Sequence, residues 1–142
     1  GVVMERDDLG ELIVLSASEV DAMPWRQMGD DPGVTQKLLW RSGAVRLGLM
    51  RVAPGSVNPV HVHDHAQHHI LVTQGEGHML GRKVDAGSYV YVPPGIPHGV
   101  TDVGPEGITF FYTFRPVTEP EPADELRGRH PAVSDAEAAV AF

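Results

Sequence analysis

Five of the chain's eight histidines stand in nine consecutive positions, HVHDHAQHH over 61–69. Imidazole is the commonest side-chain ligand for metals and titrates near neutral pH. Such a cluster therefore suits a metal site or a pH-sensitive surface loop. On a strand, residues two apart point to the same face. His61 and His63 then project together, their Cα atoms about 6.6 Å apart at ~3.3 Å per residue. Two rings at that spacing can converge on one ion, with bonds of roughly 2.0–2.1 Å. Taken alone, a His-x-His pair reads more readily as two partly exposed surface histidines.

Strand parity leaves the third ligand open between two neighbours. Gln67 lies four residues after His63 and has the matching parity; His68 has the opposite one. Asp64 to Gln67 reads as a bulge or loop, however, where parity arguments lapse. Imidazole also binds a transition metal far better than a neutral amide, which places His68 ahead. A further candidate is His98. The strand in GSYVYVPPGIPHGVTD (87–102) ends in a stiff Pro-Pro-Gly-Ile-Pro turn that delivers His98 reproducibly. Without a metal, that histidine is a loop residue hydrogen-bonded to backbone.

These two segments resemble the paired motifs of a small single-domain cupin of the RmlC-like jelly-roll superfamily. Gly55, five residues, His61-Val62-His63, four residues, His68, six residues and Gly75 follow the first motif. Gly87, five residues, Pro93-Pro94-Gly95, two residues, His98, three residues and Asp102 follow the second. The departures are His68, where the family usually has glutamate, and Asp102, where it usually has asparagine. The match runs from about Leu38 to Arg115. The resemblance implies an all-β, jelly-roll-like barrel with His61, His63, His68 and His98 as ligands of one divalent transition metal inside it. It also favours His68 over Gln67, because the gap to Gly75 is kept.

Replacing glutamate by histidine removes a negative charge, so four neutral imidazoles leave the ion its full +2. Nitrogen-rich ligation suits Fe, Mn, Ni, Cu or Zn and disfavours Ca and Mg. Four ligands on an octahedral ion leave two positions for substrate, or for substrate and O2. His65 and His69 are spare histidines, either supporting the site or facing outward, whereas His78 and His130 read as structural or solvated. No catalytic acid or base is identified.

The elements that must position these ligands are short strands. ELIVL (11–15), QKLLWRS (36–42), AVRLGLMRV (44–52), HILVTQ (69–74), GHMLGRKV (77–84), SYVYV (88–92) and ITFFYTF (108–114) read as strands. Gly75–Gly77 and Asp85–Gly87 read as turns between them. About eight strands with regular turn signals indicate an all-β sandwich or barrel. Leu71, Val72, Tyr89, Tyr91, Phe110, Tyr112, Trp40 and Met50 are the expected apolar neighbours of the site, most of them as core. A helical turn is expected from Ser18 to Met23, with Ser18 as cap. The chain divides into an N-terminal strand and arm (1–35), a barrel core (36–116) and an acidic, proline-rich tail (117–142). A short helix is expected over 134–142, where Ser134 and Glu137 have capping-box spacing.

At 142 residues the chain fits one domain. With no cysteine, disulfides and thiolate metal sites are excluded. No run approaches 18 apolar residues, and the N-terminus lacks the basic start and apolar stretch of a secretory signal. A cytoplasmic protein without membrane partners is the expectation. The net charge of −8 opposes nucleic-acid binding. The functional expectation is a metal-dependent enzyme acting on a small oxygenated organic substrate. It would be dioxygenase-like or a Lewis-acid lyase, isomerase or cyclase. The alternatives are a small-molecule-binding or sensor module, and a metal-free structural dimer. A homodimer is expected in each case.

Overall fold

The computed structural model describes residues 10–119. Nine strands and one short helix follow in order. They are α1 (Ala17–Ala22), β1 (Arg26–Gln27), β2 (Val34–Ser42), β3 (Val45–Val52), β4 (Asn58–His61), β5 (Ala66–Met79), β6 (Arg82–Asp85), β7 (Tyr89–Val92), β8 (His98–Val100) and β9 (Ile108–Pro116). All pairings are antiparallel. The main sheet runs β1-β2-β3-β9-β5-β6, with β7 paired to β5, while β4 and β8 form a small sheet of their own. The architecture is all-β, as expected. No described helix is long and apolar enough to cross a membrane.

One face of the main sheet carries the core, and on β3 and β9 burial follows the two-residue period. On β3 the inward set is Gly48, Met50 and Val52; on β9 it is Ile108, Phe110 and Tyr112. With Ile70, Val72, Val92 and Val100 they form one core.

Several local expectations are corrected. ELIVL is not a strand: Leu12 to Val14 are exposed and belong to no ladder. High β-propensity did not suffice, because no partner strand is in register there. The helix begins two residues earlier than expected. Ser16, not Ser18, caps it, with Glu19 closing the capping box. Its last carbonyls, of Val20 and Asp21, accept hydrogen bonds from the buried Lys37 ammonium, which also stands over the Trp25 ring. That cation pins the N-terminal arm to β2.

Gly75–Gly77 is not a turn either. Strand β5 runs through it with a register shift between Val72 and Gln74, and the turn falls at Leu80-Gly81. Gly75 has φ +75, and a Cβ there would overlap the Gly107 carbonyl oxygen. Glycine is required so that β5 can bend closely over the loop before β9. The bend lets β5 pair with β9 and β7 in its first half and with β6 in its second. The expected turn at Asp85–Gly87 is present. The expected helix over 134–142 and His130 lie outside the described residues.

Candidate metal centre

Strands β4 and β8 bring the two histidine-bearing segments together. His61 and His98 are direct cross-strand partners. A second tie joins the segments, because the Gly95 N–H donates to the His63 carbonyl at 2.9 Å. The ring centroids of His61 and His98 are 4.3 Å apart, those of His61 and His63 4.9 Å, and those of His63 and His98 5.4 Å. One ring nitrogen from each of these three residues lies within 4.8 Å of the others. The three donors are close enough to converge on one ion.

The rings are held in a ligating orientation by their own backbone. His61 Nδ1 lies 2.7 Å from the Pro59 carbonyl, and His98 Nδ1 lies 2.9 Å from that of Ile96. A carbonyl only accepts, so each Nδ1 carries the proton and each Nε2 keeps its lone pair for the centre.

His68 reaches the same place from β5. Its ring lies 5.0 Å from His63 and 5.1 Å from His98, outside the tight trio of donors. Its Nε2 is buried without a hydrogen-bond partner. A buried polar atom left unpaired is costly, and an ion at the trio would satisfy it. Gln67 points the other way: its Oε1 accepts from the Tyr91 hydroxyl at 3.0 Å. The turn at Asp64-His65 resets the parity after His63, so from His68 to Val72 the even-numbered residues of β5 face inward.

The charged forms of His68, His98 and His63 are disfavoured. Burial, reinforced by His98, His63 and His61, pushes the His68 pKa down to about 3. Burial likewise holds His98 at about 4, against the opposing hydrogen bond to Ile96. His63 is lowered by burial, His61 and Arg46. The rings are thus neutral, ready ligands at physiological pH. Their depressed values also set a stability window. Between about pH 6.5 and about pH 4, the unfolded chain binds protons that the native His68 and His98 refuse. Native stability should therefore fall as pH drops through that range, by at most about 1.4 kcal/mol per pH unit for each histidine. Urea midpoints of metal-free protein at pH 7.5 and pH 5 measure this, and equal midpoints would contradict it.

The trio opens into a cavity of about 190 Å³, small beside the ~300–1,000 Å³ of pockets for drug-sized ligands. Met50, Ile70, Val90, Phe110, Tyr112 and Phe114 supply most of its apolar wall. Of the expected neighbours, Met50, Phe110 and Tyr112 line it and Val72 lies in the core behind. Leu71, Tyr89 and Trp40 are exposed instead, and Tyr91 faces outward beside Gln67. Leu71 is odd-numbered on β5, so it shares the outer face with Gln67 and His69. Counting by two from Met50 would have excluded Leu47 and Leu49 and found Arg46, which sequence reasoning missed. The same count from Phe110 finds Phe114. His69 is also outward, stacked on Tyr91 and bonded through Nδ1 to the Tyr89 hydroxyl at 2.6 Å. His65 is exposed, and its carbonyl accepts from Val117. His78 lies on β5 beyond the bend, beside Asp102. Asp102 itself has φ +49, a conformation that asparagine and aspartate tolerate best.

A family model described as the ChrR cupin-like domain matches residues 15–118. The chain belongs to this cupin family. Solved cupin structures resemble it across most of its length. An RmlC-like cupin from Shewanella frigidimarina is 27% identical, over 70% of this chain and 88% of that one, with a TM-score of 0.57. A double-stranded β-helix protein from Klebsiella pneumoniae is 24% identical over 76% and 93%, with a TM-score of 0.60. A protein from Thermotoga maritima described as a predicted oxalate decarboxylase is 19% identical over 74% and 100%, with a TM-score of 0.62. The last two speak to the fold alone. No curated protein matches the chain. This cupin thus carries a three-histidine group able to hold a metal, in the lining of an apolar cavity.

Proposed function

We propose that this cupin is a metal-dependent enzyme acting on a small oxygenated organic molecule, with one divalent transition metal held by His61, His63, His98 and His68. The observation that carries the reading is the unpaired, buried Nε2 of His68 beside the three-histidine group. Bound there, such an ion supplies a Lewis acid that polarises a substrate oxygen. The chain's own residues do the rest. The carbonyls of Pro59 and Ile96 lock two ligand rings, and the wall of Ile70, Val90 and Phe110 keeps water from the bound molecule. Polarisation is stronger in such a dry site. The candidate chemistries are dioxygenation and metal-assisted lyase, isomerase or cyclase reactions.

A binding or sensor role without turnover is the alternative. It is favoured by one observation: among the described residues no carboxylate lines the cavity to serve as acid or base. A cytoplasmic homodimer is the working form we infer, supported by the exposed Leu12, Ile13, Val14, Leu71 and Tyr89.

Elemental analysis of untagged protein tests the metal. We expect close to one transition-metal ion per chain, with chelation lowering the thermal midpoint. Protein that holds none, and that added Zn²⁺, Mn²⁺ or Fe²⁺ does not stabilise, would refute the reading. Loss of turnover without oxygen then marks a dioxygenase, and indifference to oxygen a Lewis-acid reaction.

A further inference from the structure

The cavity contains a cation that the metal site does not explain. Arg46 lies on β3 in the inward set with Gly48 and Met50, and its register partner on β9 is Phe114. Phe114 is in turn the partner of His68 on β5. Three neighbouring strands at about 4.8 Å spacing therefore place Arg46 and His68 in one row, roughly 10 Å apart between Cα atoms. The guanidinium lies 4.4 Å from the Phe114 ring centroid. The same ring stands edge-on to His63 at 5.3 Å and to His68 at 5.2 Å. The cation and the histidines thus flank one aromatic ring and look into one cavity.

Arg46 is the one residue of fixed charge among the described residues that line it. It forms no ion pair with any described residue, although acids outnumber bases by 19 to 11 in the chain. The polar neighbours are already occupied or weak. The Tyr112 hydroxyl donates to Gln36 at 2.6 Å, and the Asn58 amide faces the Met50 sulfur at 3.7 Å. A half-buried guanidinium without a counter-charge is costly to hold. A divalent ion on four neutral imidazoles would add charge of the same sign. The whole interior field then calls for an anion. A planar fork of N–H donors matches a carboxylate in two-point geometry.

We propose that the substrate class is a small carboxylate, its carboxyl group seated on the Arg46 guanidinium and a short apolar body against Ile70, Val90 and Phe110. A second substrate oxygen would face the histidine trio; that part rests on the metal reading above. Arg46 is on this view a specificity-determining residue. The bland alternative is that it merely packs on Phe114.

Calorimetric titration of zinc-loaded protein with butyrate and with uncharged butyramide separates these. We expect butyrate to bind about tenfold tighter or more, the scale of a charged hydrogen-bonded pair. Arg46→Gln should erase that preference, and Arg46→Lys should keep part of it, having the charge without the fork. Zinc content and thermal midpoint are measured alongside, so that an unfolded variant is recognised; Arg46→Lys then carries the comparison. Equal affinity for the two probes in the native chain would overturn the proposal, as would a preference that survives Arg46→Gln. Repeating the titration on chelator-treated protein tells the two readings apart. An Arg46-dependent preference in a chain that binds no zinc leaves the carboxylate site standing and removes the metal.

Discussion

Changing His98 to alanine should cost the protein its metal while leaving the barrel folded. Four-ligand zinc sites bind with roughly 10–16 kcal/mol in small folded peptides. One ligand then carries on the order of 3 kcal/mol, a hundredfold or more in affinity. His98 should stand at the upper end, because its ring sits closest to His61 and belongs to the trio of donors. The fold should tolerate the change. Among the described residues the ring bonds only to the carbonyl two residues earlier, and the core residues Val92 and Val100 are untouched. Metal titration with a competing chelator reads the affinity, and circular dichroism reads the fold. His69→Ala serves as the control. His69 stacks on the outer face of the sheet, so its loss should leave affinity unchanged. Near-native affinity in His98→Ala would mean that the three rings converge without sharing an ion.

A second loss of metal is expected from a residue with no donor atom. Gly99 is buried between His98 and Val100, where β4 and β8 pair. A Cβ at that position would lie 2.7 Å from the Asn58 carbonyl oxygen and 3.0 Å from the Val60 nitrogen. Both are backbone atoms of β4 and cannot rotate away. Gly99→Ala must therefore push the two strands apart. Those strands carry His61 and His98, whose rings need to stay within a few tenths of an ångström of their positions. We expect the metal affinity to fall by an order of magnitude or more, with a stability loss of about 1–3 kcal/mol from overpacking. Chelator competition and urea unfolding measure the two effects separately. Retained affinity would show that the small β4–β8 sheet can widen without moving its imidazoles.

The contrast between these two predictions shows how far the sequence reaches. The histidines of 61–69 and the turn before His98 are legible as ligand types at ligand spacing, because imidazole chemistry depends on residue identity alone. The strands of the barrel are legible too, since one-sided burial writes a two-residue period into β3, β5 and β9. Tertiary structure decided what depends on partners. The side to which His68 and Gln67 point was settled by the turn at Asp64-His65, which resets the alternation. ELIVL has the composition of a strand, but no strand is in register beside it. Period alone can put Arg46 on the inward face with Met50, but only the pairing of β3 with β9 sets it against Phe114 and, through that ring, beside the histidines. Above all, the meeting of His61 with His98 is a pairing of residues 37 positions apart. Spacing along a chain can prepare two donors to coincide, but only the closing of β4 on β8 puts them within one ion's reach.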